Sequence, residues 1–194
     1  MILKIRQSGE PVLRRRAQPL SPEDIESPAV QELIEWMRET MRDAPGVGLA
    51  APQIGIPLQL AVIEDRAELM TSIPPERLAE RRRSPVPFQV LINPRIELAG
   101  EQASFFEGCL SVDGFCAVVP RSLVVRVECL DHRGEPLTFT AEGWHARIVQ
   151  HEVDHLHGGL YLDRMLPRTF NTVENHNRYW NNRPMAEVLE SLGG

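Results

Sequence analysis

The residues of this chain best suited to chemistry are His151, Glu152 and His155, set in the run Gln150-His151-Glu152-Val153-Asp154-His155. On a helix, side chains four apart stand one above the other, so the two imidazoles converge on one point. Such a pair holds a metal ion, and a glutamate just off that face can take and return the protons of a water that the metal activates. Short patterns recur by accident, and a helix with two surface histidines is the plain alternative. The flanks argue against it. Trp144, Ile148, His151 and His155 fall at i, i+4, i+7 and i+11, so the apolar stripe of the helix runs into the imidazole pair. The site then lies on the floor of an apolar pocket. Gly158-Gly159 supplies the helix stop, because glycine takes the left-handed conformation at little cost.

A catalytic site of this type needs three protein ligands and one open position. A third histidine six residues past His155 is excluded, since Tyr161 stands there. Glu174 is a second choice, but it sits in a polar, asparagine-rich stretch that is a weak platform for a ligand. Cys109, in Phe105-Phe106-Glu107-Gly108-Cys109-Leu110-Ser111-Val112, is the stronger one, because a soft thiolate binds iron or zinc well. A lone cysteine is more often a small buried residue, and Cys116 as a fourth ligand would close the site into a non-enzymatic zinc module. The stretch Gly46 to Gly55 is dense in small residues that let a ligand or a backbone approach, and its Gln53 offers a donor and an acceptor. It lacks the Lys-Ser/Thr pair of a phosphate loop and reads equally well as a tight turn.

A length of 194 residues at 42% hydrophobic content makes one sizeable core and one domain. A net charge of -6 argues against general nucleic-acid affinity. No apolar run approaches the roughly 20 residues of a membrane span. The N-terminus lacks a signal-peptide pattern and three cysteines are a poor disulfide framework, so a cytoplasmic setting is expected. Residues 2 to 20 read as an extended arm, and Ser27-Pro28 opens a helix carrying Val30, Leu33, Ile34, Met37 and Met41 to about Asp43. Leu58 to Ile63 and Phe88 to Ile92 read as strands, the second stopped at Asn93-Pro94. Residues 65 to 87 read as a surface excursion whose basic triplet, Arg81 to Arg83, is a solvated face. Val118 to Glu128 alternates as strand, Asp131 to Gly134 is a hairpin turn, and Leu137 to Thr140 returns ahead of the histidine helix. Tyr161-Leu162 is expected as a last short strand, and 168 to 194 as a polar surface tail. The predicted class is α+β, antiparallel strands packed around a central metal-binding helix.

Three separated segments, Gly46-Val47-Gly48-Leu49-Ala50-Ala51-Pro52-Gln53, Glu107-Gly108-Cys109-Leu110-Ser111 and Gln150 to Gly158, resemble in order the peptide deformylases. The charged excursion and the run Ser111-Val112-Asp113-Gly114-Phe115 look more like the organelle-type branch than the commonest bacterial one. The resemblance implies a hydrolase that removes the formyl group from the formyl-methionine of new polypeptides and releases formate. It implies Cys109, His151 and His155 as ligands of Fe2+, with Zn2+ able to replace it, and Glu152 as the proton carrier. Gln53 and the backbone N–H of Leu110 would stabilise the charge that gathers on the formyl oxygen. Trp144, Ile148, Val47 and Phe105 would line the slot for the methionine side chain, and Gly48 and Gly108 would meet the peptide through their backbone. Partners would be formyl-methionyl nascent chains and, transiently, the ribosome.

Overall fold

In the computed structural model, which describes residues 1–192, helix α4 (Gly143–Leu156) runs through the middle of the molecule. Ten of its fourteen residues are buried, among them Ala146, Ile148, Val149 and Val153 on its apolar side and Arg147, Gln150, Glu152 and His155 on its polar one. Polar groups on so buried a helix cannot rely on water, and partners in the surrounding strands take up most of them.

Those strands form one antiparallel sheet in the order β1 (Gly48–Ala50), β2 (Leu60–Asp65), β3 (Val86–Cys109), β4 (Val112–Leu130), β5 (Pro136–Glu142), with β6 (Asn171–Thr172) added beside β4. Ile63, Val86, Leu91, Val125, Val127 and Ala141 pack with Ala146, Ile148, Val149 and Val153 of α4. A second cluster lies under helix α2 (Pro28–Asp43), whose Leu33, Ile34, Met37 and Met41 meet Leu49, Leu60, Val62 and Ile92. The expected start of α2 is present: Ser27 Oγ accepts from the Val30 backbone N–H at 3.3 Å, with Pro28 in the first turn. Ser21-Pro22 gives the same signal for the short α1 (Pro22–Glu26), capped reciprocally by Asp24.

Four expectations are corrected. Asn93-Pro94 does not stop a strand, because Asn93 takes φ +50 and absorbs a register shift between Ile92 and Arg95, after which β3 continues to Cys109. Asparagine tolerates that conformation, and its amide is fixed by the Leu20 N–H and carbonyl, each at 2.9 Å. Tyr161-Leu162 is a 3-10 turn (Tyr161–Asp163), since the Asp163 carboxylate accepts from the Leu160 N–H at 2.8 Å and curls the chain. The stretch from 168 is more than a surface tail: Thr169 Oγ1 accepts from the Val118 N–H at 2.8 Å, and β6 pairs with β4. Helices α5 (Val173–Tyr179) and α6 (Met185–Leu192) follow, with Val188 fully buried; positions 193 and 194 of that expected tail lie outside the described residues. The basic triplet is not a solvated face either. After helix α3 (Pro75–Glu80), Arg83 forks onto the buried Asp65 with two bonds of 2.8 Å, Arg81 lies 5.4 Å from the Trp144 ring, and only Arg82 is exposed.

The excursion docks on the start of α4 at Gly143, which takes φ +56; a Cβ there would meet Arg82 Cβ at 2.5 Å and its carbonyl oxygen at 2.6 Å. Gly114, at φ +77, has nothing within 4 Å. Gly114→Ala should therefore lose only the left-handed backbone cost, about 1–2 kcal/mol, while Gly143→Ala should lose clearly more. Urea unfolding of the two variants checks this, and equal losses would show that the contact with Arg82 is loose.

Candidate active site

Cys109 closes β3 and His151 and His155 lie one turn apart on α4, and the three ligating atoms are all within 4.8 Å of one another. Cys109 Sγ is 3.3 Å from His155 Nε2. Ligand atoms at zinc-like bond lengths around one tetrahedral ion stand about 3.5 Å apart, so the donor set fits a single transition-metal ion. Its electrostatics fit too. Burial opposes a charged His151, but Cys109 and Glu107 outweigh it and hold this imidazole well above its ordinary pKa. Burial wins at His155, which is held well below. The neighbours of His151 thus favour positive charge at this spot, which a bound cation supplies.

Glu107 supports His151 from behind. Its Oε2 accepts from His151 Nδ1 at 3.0 Å and from Arg121 Nη2 at 3.0 Å, and its Oε1 accepts from Arg121 Nε at 2.9 Å and Arg147 Nη1 at 2.7 Å. Burial would raise this carboxyl, but His151 and Arg121 outweigh it and hold the group well below the usual carboxylate range. The bond through Nδ1 leaves His151 Nε2 for a metal.

Glu152 points the other way. It is 3% exposed, no group among the described residues bonds its Oε2, and burial pushes its carboxyl up to about 7. The absent side chain of Gly48 makes room for it, since a Cβ there would collide with the Glu152 carboxylate. Gln53 is buried on a 3-10 turn (Ala51–Ile54), its Oε1 held by the Ala50 N–H at 2.8 Å. Its Nε2 thereby reaches Cys109 Sγ at 3.5 Å and Ser111 Oγ at 3.2 Å.

These groups open onto a cavity of about 360 Å³, whose lining includes Val47, Gly48, Gln53, Gly108, Cys109, Leu110, Trp144, Ile148, His151 and Glu152. Phe105, expected in the side-chain slot, lies behind it instead. It is 6% exposed and packs edge-on to Trp144 at 6.2 Å, while Phe106, one residue on and pointing across the strand, lines the cavity and meets the His176 ring of α5 at 4.5 Å. Neither of the alternative ligands joins the cluster. Glu174 is exposed on α5, and Cys116 is buried beside Asn171 with its thiol pushed up to about 11.

The polypeptide deformylase family model matches residues 2–171. The chain belongs to that family. A peptide deformylase 1A of tomato (Solanum lycopersicum), named chloroplastic, is 52% identical over 87% of this chain and 61% of its own length. Peptide deformylase 3 of Streptomyces avermitilis is 46% identical over 98% of this chain and 84% of its own. A Met-Ala-Ser-bound class I type b peptide deformylase of Acinetobacter baumannii superposes with TM-score 0.76 at 34% identity, covering 85% of this chain and 99% of that one. Among the described residues no helix is long and apolar enough to cross a membrane.

Sequence alone assigns no role to several residues of this deformylase site. Glu107, Phe106, Arg121 and Arg147 carry none there, and Arg83 reads only as part of a solvated face. Arg147 carried a signal, for it is a charge placed four residues before His151 on a stripe that is otherwise apolar. Gly48→Ala should keep the fold and bound zinc but displace Glu152, lowering formate release by about 10²-fold or more. A formate assay beside zinc analysis reads both, and near-normal turnover would show that Glu152 has another place to go.

Proposed function

We propose that this chain hydrolyses the formamide of formyl-methionine at the N-terminus of nascent polypeptides, releasing formate and a free amine. What carries the reading is one juxtaposition: the Cys109, His151 and His155 cluster opens into the same cavity as Glu152 and Gln53, in a chain of deformylase family. Cys109, His151 and His155 hold the metal, Fe2+ by preference with Zn2+ in its place. When bound, it lowers the pKa of water toward neutrality and polarises the formyl carbonyl.

The protein's own groups do the rest. Glu152 takes a proton from the attacking water and returns it to the departing amine, work suited to a carboxyl that burial has pushed up to about 7. Gln53 Nε2, already aimed at Cys109 Sγ, and the backbone N–H of Leu110 donate to the oxygen on which charge gathers; a donor of this kind is typically worth about 2.7–4 kcal/mol. The methionine side chain lies between Trp144, Ile148, Val47 and Phe106. The peptide backbone passes Gly48 and Gly108, where small residues keep β1 and β3 approachable. The peptide found on the Acinetobacter relative supports a peptide occupant. Because the substrate is a nascent chain, transient contact with the ribosome belongs to this reading, in a cytoplasmic setting. In this reading the described residues, 1–192, form one catalytic domain around the α4 metal site.

The decisive experiment is formate release from a formyl-Met-Ala-Ser peptide by protein purified without oxygen, with metal analysis of the same sample. Wild-type protein should turn over and contain iron. Glu152→Ala should retain metal and lose about 10²–10⁴ in turnover; activity within a few-fold of wild type would remove Glu152 from the mechanism. Cys109→Ala should empty the site, whereas Glu174→Ala should leave metal and activity unchanged, and the reverse pattern would move the third ligand to Glu174.

A further inference from the structure

Arg147 is 4% exposed, lines the cavity and sits one helical turn before His151. Its Nη1 donates to Glu107 Oε1 at 2.7 Å and to the Val119 carbonyl at 2.8 Å, and its Nη2 donates to the Ala103 carbonyl at 2.6 Å. Its guanidinium lies 5.2 Å from the Phe105 ring and 5.6 Å from the Trp144 ring. One buried side chain thus touches both the aromatic wall of the slot and the carboxylate that orients His151.

Packing alone does not call for a charge here. A hydrocarbon of similar volume could fill the space against Phe105 and Trp144 without the desolvation cost that a buried guanidinium carries. A hydrocarbon could not hold Glu107, whose Oε1 is shared between Arg121 and Arg147 while its Oε2 serves His151. Spacing explains why this residue can do both. Arg147 and His151 are i and i+4 on α4, so both reach one carboxylate, and Trp144 is three residues earlier on the same face. Arginine suits the place because its planar fork donates in several directions while its faces stack on rings, which lysine cannot reproduce.

We infer that Arg147 is a positioning residue that joins the two halves of the active site, setting Trp144 for the substrate side chain and, through Glu107, His151 for the metal. The inference rests on the deformylase reading and adds to it a residue through which slot shape and metal retention change together.

The test uses full-length wild type, Arg147→Met and Arg147→Lys, each loaded with zinc. Zinc affinity is read by competition with a chromophoric chelator, and KM and kcat are read with formyl-Met-Ala-Ser. Arg147→Met should weaken zinc retention by about 10- to 100-fold, the usual scale for losing support behind a ligand, and raise KM as well. Arg147→Lys should recover most of the zinc affinity, because an ammonium still pairs with Glu107, yet keep the raised KM, because it lacks the flat face against Phe105 and Trp144. A residue that only holds the fold would lower kcat in proportion to the inactive fraction and leave KM and zinc affinity per folded molecule unchanged. That outcome, or a lysine variant indistinguishable from wild type in KM, overturns the inference. If Arg147→Met does not fold, the lysine variant decides alone by the same split. Wild type that binds zinc but releases no formate overturns the deformylase reading instead, and the zinc measurements still judge the link from Arg147 to the metal site.

Discussion

The structure depends most on the Glu107 carboxylate, a buried anion with hydrogen bonds to Arg121, Arg147 and His151. Unpaired, such a group would cost several kcal/mol to bury. Paired as it is, it locks three elements to one another: it belongs to β3, Arg121 to β4, and Arg147 and His151 to α4. Arg121 extends the network, reaching Asp154 at 2.5 Å, and Asp154 in turn holds Arg164 through two bonds of 2.9 Å. The strand pair that also delivers Cys109 thereby satisfies Arg147 and the Nδ1 of His151 on the polar side of α4, while Glu152 Oε2 has no partner among the described residues.

Glu107 and Glu152 show how one helix and its sheet run two carboxylates in opposite senses. Both are almost completely buried. Cationic partners hold Glu107 ionised, whereas Glu152 has no such partner in contact and is pushed up to about 7 by burial. Titratable groups driven apart by their surroundings are how acid and base roles are assigned within one site. The division has a steric side, because the room for Glu152 exists only where Gly48 carries no side chain.

The outer wall of the cavity comes from parts of the chain far from the three family segments. Arg81 and Arg83 each lie 5.4 Å from the Trp144 ring, and Arg83 is itself anchored on Asp65. On the other side, His176 of α5 packs on Phe106, and Glu80 Oε1 accepts from the Met185 N–H at 3.2 Å, tying the start of α6 to the excursion. Arg83 of the excursion thus lines the cavity itself, while α5 backs its wall through the contact of His176 with Phe106.

The order of residues alone carries the α+β class, the helix with its two histidines on one stripe, the Ser27-Pro28 helix start, and the three segments that identify the family. These are local properties, written in the helical period, in capping chemistry and in short ordered runs. It did not determine that Asn93 bends β3 instead of ending it, since that depends on a distant partner, Leu20, which holds the asparagine amide. Nor did it settle Phe105 against Phe106, because adjacent residues on a strand face opposite ways and only the packed sheet decides which face meets the cavity. The anchoring of Arg83 and of the 168–192 segment, which buries Thr169 and Val188, was hidden for a related reason: their composition is that of a solvated surface, and Asp65, Val118 and β4 become their partners only when the chain closes. Arg147 was visible in sequence as a charge out of place on an apolar stripe, but only the tertiary structure shows the shared carboxylate that keeps it there, because a buried cation is tolerable only beside an anion that the fold itself brings to it.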